Sequence, residues 1–112
     1  MSEIGLGTQR WVSKDFNAPD EALCKEMMNK AILEGGVNLI DTAEQYPIPS
    51  DFTRPEGLCE EVIGRWLKEG GPSRREKAVI ATKITGGGRI NKKSIITACE
   101  GSLQRLQTGE ER

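Results

Sequence analysis

A chain of 112 residues with 36% hydrophobic residues, 29% charged residues and a formal net charge of −1 has the size and balance of one ordinary globular domain. The near-neutral charge offers no basic face for nucleic acid or an anionic membrane, and no apolar run approaches the length that crosses a bilayer. The N-terminal Met1-Ser-Glu-Ile-Gly-Leu-Gly7 lacks the basic and apolar segments of a secretory signal, which points to the cytoplasm.

The first predicted element is a short strand over Glu3–Gly7. Asn17-Ala-Pro-Asp20 reads as a helix start, with Asn17 as N-cap and proline in the first turn. Leu23, Met27 and Ala31 recur every fourth residue and predict its buried stripe; Gly35-Gly36 ends it. Val37–Thr42 is the second predicted strand, followed by a connection over Tyr46–Gly57 too rich in proline and glycine for regular structure. The next helix places Leu58, Val62, Ile63, Trp66 and Leu67 on one face and stops at Gly70-Gly71. Ala78–Lys83 is the third strand and Gly86-Gly-Gly88 a flexible turn. Asn91 caps a last helix whose stripe is Ile95, Cys99, Leu103 and Leu106.

The order β-α-β-α-β-α implies parallel strands joined by right-handed crossovers, an α/β fold. Two architectures share that rule, the doubly wound open sheet and the (β/α)8 barrel. An open nucleotide-binding sheet needs G-x-G-x-x-G after its first strand, whereas Gly5-Leu-Gly7 is followed by Arg10. Gly86-Gly-Gly-Arg89 lacks the lysine and hydroxyl of a phosphate loop. The barrel is therefore preferred. Alternation puts Leu39 and Asp41 on one strand face and Val79, Ala81 and Lys83 on another. If both faces point inward, Asp41 and Lys83 meet roughly 5 Å apart at the tops of adjacent strands, the end where barrels carry their sites.

Asp41, Tyr46 and Lys83 are the candidate catalytic residues. Free tyrosine, with a pKa of about 10, is a reluctant proton donor near neutrality. A lysine ammonium beside it favours the phenolate, and an aspartate keeps the lysine charged and in place. Each residue alone has a plainer reading, as a turn acceptor, a loop anchor or a solvated strand end; their joint order and spacing carry the case. Trp66 is assigned to packing, Trp11 to packing or to the border of the pocket, and Arg54, Arg74 and Arg75 to solvent. Cys24, Cys59 and Cys99 are widely spaced, form no C-x-x-C pair and have no histidine to share a metal with, so they read as plain thiols on helix faces.

Ser2-Glu-Ile-Gly-Leu-Gly-Thr8, Ile40-Asp-Thr-Ala-Glu-Gln-Tyr-Pro47, Ala81-Thr-Lys83 and Ser102-Leu-Gln-Arg-Leu-Gln-Thr108 together resemble the opening of an aldo-keto reductase. The loop Tyr46-Pro-Ile-Pro49 with Arg54-Pro-Glu56 is most similar to the bacterial-type branch of that superfamily. The resemblance implies a partial (β/α)8 TIM barrel, the first three βα units only, over residues 1–112 and truncated before strand four. It implies that Asp41, Tyr46 and Lys83 belong to a catalytic tetrad whose fourth member, a histidine, has no counterpart in a chain with no histidine. It also implies NADP(H) as cofactor, with Gly7, Thr8 and Asp41 near the nicotinamide and its ribose, and a small-molecule carbonyl substrate. The expected function is NADP-dependent reduction of aldehydes or ketones to alcohols, inactive here because truncated. The alternative is a non-catalytic interaction or regulatory remnant of such a barrel. Three parallel strands leave open edges, so self-association through them is expected.

Overall fold

A computed structural model describes residues 1–50, 53–85 and 90–109. Strand β1 (Gly5–Gly7) leads to helix α1 (Glu21–Met28), which continues as a wider π-helical turn over Asn29–Glu34. Strand β2 (Leu39–Asp41), helix α2 (Leu58–Glu76), strand β3 (Val79–Ala81) and helix α3 (Lys92–Leu106) follow. The sheet order is β1-β2-β3, all parallel, with Gly7, Asp41 and Ala81 in its last row and Leu6, Ile40 and Ile80 in the middle row. Ile40 is fully buried beneath the helices, with Leu6 and Ile80 packed against the same core. Gly5, Gly7, Asp41, Val79 and Ala81 stand exposed on the other face. The architecture is that of successive βα units in a barrel wall, as expected.

The regular strands are shorter than predicted, yet the ladder between the second and third continues past them. Thr42 N–H donates to the Ala81 carbonyl at 2.9 Å and Glu44 N–H to the Lys83 carbonyl at 3.0 Å. The Lys83 main chain is thus paired to the segment after β2 through its carbonyl.

Helix α1 begins later than predicted. Asp20, not Asn17, is its N-cap, and the Asp20 carboxylate accepts from Leu23 N–H at 2.9 Å. Pro19 keeps the preceding residue out of helical geometry, and its carbonyl is tied to Val12 N–H at 2.9 Å, so the chain can turn only at Asp20. The buried row is Cys24, Met28 and Ile32, one residue on from the predicted stripe; Leu23 is 47% exposed. Leu23, Met27 and Ala31 instead line, with Leu6 and Leu33, a groove of about 970 Å³.

Helix α2 buries Cys59, Val62, Ile63, Trp66 and Leu67, close to the predicted stripe, with Leu58 half-buried. It breaks where glycine predicted: Gly71 has φ 69°, and Pro72 opens the final turn. Trp66 is core, as expected, and its indole N–H donates to Asn29 Oδ1 at 2.8 Å. Trp11 is core as well. The three arginines assigned to solvent are engaged. Arg74 stacks over Trp66 and donates to its carbonyl, Arg75 reaches Thr108 Oγ1 and the Ala78 carbonyl, and Arg54 reaches the Val12 carbonyl. Carbonyls at helix ends and loops lack backbone partners, and guanidinium forks supply donors.

Helix α3 is capped by Asn91 as predicted, in a reciprocal box with Ser94. Its inward row is Ala98, Ser102 and Leu106, while Ile95, Ile96, Cys99 and Leu103 are exposed. Small residues face inward because α2 and α3 nearly touch. A Cβ on Gly64 would stand 2.2 Å from the Arg105 carbonyl oxygen. Cys24 and Cys59 are buried and Cys99 is not. Among the described residues no helix is long and apolar enough to cross a membrane. The predicted Gly86–Gly88 turn and Arg89 lie outside the described residues.

Gly64→Ala should therefore force the two helices apart and cost about 1–3 kcal/mol in a denaturant melt. An unchanged midpoint with unchanged slope would contradict the close approach.

Candidate active site

Asp41 ends β2 and Lys83 lies two residues past the end of β3, both on the sheet face away from the helices. The Lys83 ammonium lies 3.1 and 3.2 Å from the two Asp41 carboxylate oxygens and donates to the Thr42 carbonyl at 2.8 Å. Tyr46 follows β2 on a turn in which its N–H bonds the Ala43 carbonyl at 3.2 Å. Its ring is buried, and Lys83 Nζ stands 4.8 Å from the ring centroid. The three residues named from spacing are thus brought together around one ammonium.

Asp41 and Lys83 side chains are about half exposed, at 52% and 49%. An ion pair so wetted adds little to stability, so its geometry matters more than its energy. Partial burial pulls the Lys83 pKa down, but the Asp41 carboxylate and the Tyr46 phenol outweigh it and the net shift is upward. Lys83 stays charged at neutrality.

Of the residues assigned to a cofactor, Gly7 sits in register with Asp41, and nothing lies within 4 Å of the point where a Cβ would stand. The space above Gly7 is therefore open, beside the exposed Asp41 carboxylate. Thr8 is fully buried, and its hydroxyl donates to the Asp41 carbonyl at 3.0 Å. Its side chain therefore positions Asp41 and leaves only backbone for a ligand. Among the described residues no group of His, Cys, Asp or Glu side chains is arranged to hold a metal ion.

A second layer, missed in the sequence, comes from the first turn of α2. The Cys59 thiol is shared between the Thr8 and Trp11 carbonyls at 3.2 and 3.3 Å, and Cys59 N–H reaches the Tyr46 carbonyl at 3.4 Å. Burial pushes that thiol up to about 12, so it remains a protonated donor. Glu60, fully buried, accepts from Thr82 Oγ1 and from Arg105 Nε, each at 2.6 Å. Glu60 lies three and seven residues before Ile63 and Leu67, on the apolar stripe itself, and an acid there was the available signal.

A family model described as the aldo/keto reductase family matches residues 3–111. Protein tas from Escherichia coli (strain K12) is 38% identical over 121 aligned positions, covering 96% of this chain and 32% of that protein. Protein tas from Shigella flexneri matches at the same identity and coverage. A crystal structure from Pseudomonas aeruginosa, assigned to the aldo-keto reductases, superposes with a TM-score of 0.65 at 29% identity, covering 93% of this chain and 38% of that one. The chain spans about a third of the length of the relatives it matches.

The raised Lys83 pKa has a direct consequence. Because the folded value exceeds the unfolded one, the stabilisation is fully present below about pH 10.5 and is lost as pH rises through the folded pKa. NMR titration should find Lys83 above the ordinary lysine value of 10.5, and Asp41→Asn should move it down. A Lys83 midpoint indifferent to Asp41→Asn would dissolve the pair.

Proposed function

Since the chain belongs to the aldo/keto reductase family, we propose that it carries part of an NADP-dependent oxidoreductase that reduces aldehyde or ketone carbonyls to alcohols. The observation that carries this is Lys83 Nζ bridging the Asp41 carboxylate and the Tyr46 ring. In this reading Tyr46 gives its phenolic proton to the carbonyl oxygen. Lys83 stabilises the phenolate left behind, and Asp41 keeps Lys83 charged and in place. Bound NADPH would supply the hydride. Gly7 would leave room for the nicotinamide, Asp41 would face its ribose, and Thr8 would hold the Asp41 backbone. The substrate is a small carbonyl compound and the setting cytoplasmic.

The chain has no histidine to orient the carbonyl and spans about a third of the length of the relatives it matches. The 112 residues by themselves should bind NADPH with a Kd near millimolar, about −4 kcal/mol, and should not turn over. Fluorescence titration with NADPH and an aldehyde-dependent oxidation assay test both points. No saturable binding would remove the cofactor site. Turnover would overturn the inactivity; Tyr46→Phe should then lower it by about 10²–10⁴-fold, and a rate that survived would dismiss Tyr46 as donor.

A second, non-catalytic reading is favoured by the open sheet. Among the described residues neither edge strand has an outer neighbour, the groove along α1 is mostly apolar, and Ile95, Ile96 and Leu103 are exposed on α3. A second copy could cover these surfaces by parallel edge pairing. Sedimentation over a concentration series should show species larger than a monomer, and a monomer throughout would rule this reading out.

A further inference from the structure

We infer that Glu60 is a positioning residue for Lys83: its buried carboxylate, clamped by Arg105, holds the Thr82 hydroxyl and so fixes the backbone from which Lys83 reaches Asp41 and Tyr46. The inference rests on the reading of Asp41, Tyr46 and Lys83 as the reacting group.

A carboxylate taken fully out of water is costly unless paired and hydrogen-bonded. Glu60 meets the cost with two 2.6 Å bonds, one to each oxygen. Arg105 alone would supply the countercharge. The second oxygen instead goes to Thr82, which lies beyond the last regular residue of β3 and immediately before Lys83. On an extended segment neighbouring side chains point to opposite faces. Fixing the Thr82 hydroxyl on the helix side therefore presents Lys83 to the open side.

Main-chain pairing also restrains this segment, through Glu44 N–H on the Lys83 carbonyl at 3.0 Å. Glu60 adds the restraint from the helix layer. A lysine side chain has four rotatable carbons and large rotamer freedom, so contacts near 3 Å to Asp41 need a fixed root. The same helical turn restrains the other partner, since Cys59 N–H bonds the Tyr46 carbonyl at 3.4 Å. Two adjacent residues of α2 thus each hold one of the two roots, Cys59 through the main chain of Tyr46 in the β2–α2 loop and Glu60 through the Thr82 side chain next to Lys83. Arg105 carries this frame to α3.

Thr82 is exposed as a residue, so Thr82→Val removes the hydroxyl without opening the core. In the full chain, Thr82→Val should lower the NMR titration midpoint of Lys83. It should also speed Lys83 acylation, read by mass spectrometry, by roughly fivefold, the worth of one hydrogen bond. Thr82→Ser should restore both values. A merely structural contact would change the melting temperature and leave Lys83 unmoved. If Asp41→Asn shifts Lys83 and Thr82→Val does not, the positioning role is wrong while the site stands. If neither shifts it, the site reading fails as well. A shift in Thr82→Ser equal to that in Thr82→Val would show that the hydroxyl is not the carrier.

Discussion

One buried charge organises this molecule. Glu60 sits in the first turn of α2, where a helix N-terminus favours an anion, and its carboxylate has no access to water. Such a group is tolerable only if both oxygens are occupied, and the occupants come from two other elements: Arg105 of α3 and Thr82 past β3. The close contact at Gly64 follows from the same approach, since α3 must come near enough for Arg105 to reach. The small inward residues Ala98 and Ser102 complete it.

Against that rigid layer stands a wet one. The Asp41–Lys83 pair lies at the strand ends, half in solvent, where an ion pair contributes little to folding. It is held on the uncovered face by ladder bonds and by a buried tyrosine ring, in a place where stability does not require it. The buried Glu60–Arg105 pair thus sits in the helix layer, while the Asp41–Lys83 pair stays open to solvent on the opposite face.

Among the described residues the fold is one-sided. Helices cover one face of the sheet, and the residues opposite, Gly5, Gly7, Asp41, Val79 and Ala81, face open space. Parallel sheets are ordinarily covered on both faces. The groove beside α1 and the exposed apolar side of α3 lie on the first and last helices.

Much of this was legible in the sequence. Alternation of short apolar runs with helical patterns set the parallel order, because crossover length and handedness leave few choices. Glycine and proline marked the breaks, as Gly71 shows, because their backbone preferences are local. Asp41 and Lys83 converge because the parallel ladder and its continuation set the ends of adjacent strands side by side, and the turn after β2 brings the Tyr46 ring against the Lys83 ammonium. Tertiary structure decided what periodicity leaves open. A four-residue repeat on α1 fits the row of Leu23 and the row of Cys24 equally well, and α3 offers Ile95 or Ala98. Only the neighbouring helix, with its own close contacts, selects the phase. The roles of Glu60, Thr82 and the arginines were hidden for the same reason: a hydrogen bond between residues far apart in the chain leaves no local pattern, and exists only once packing has removed the water.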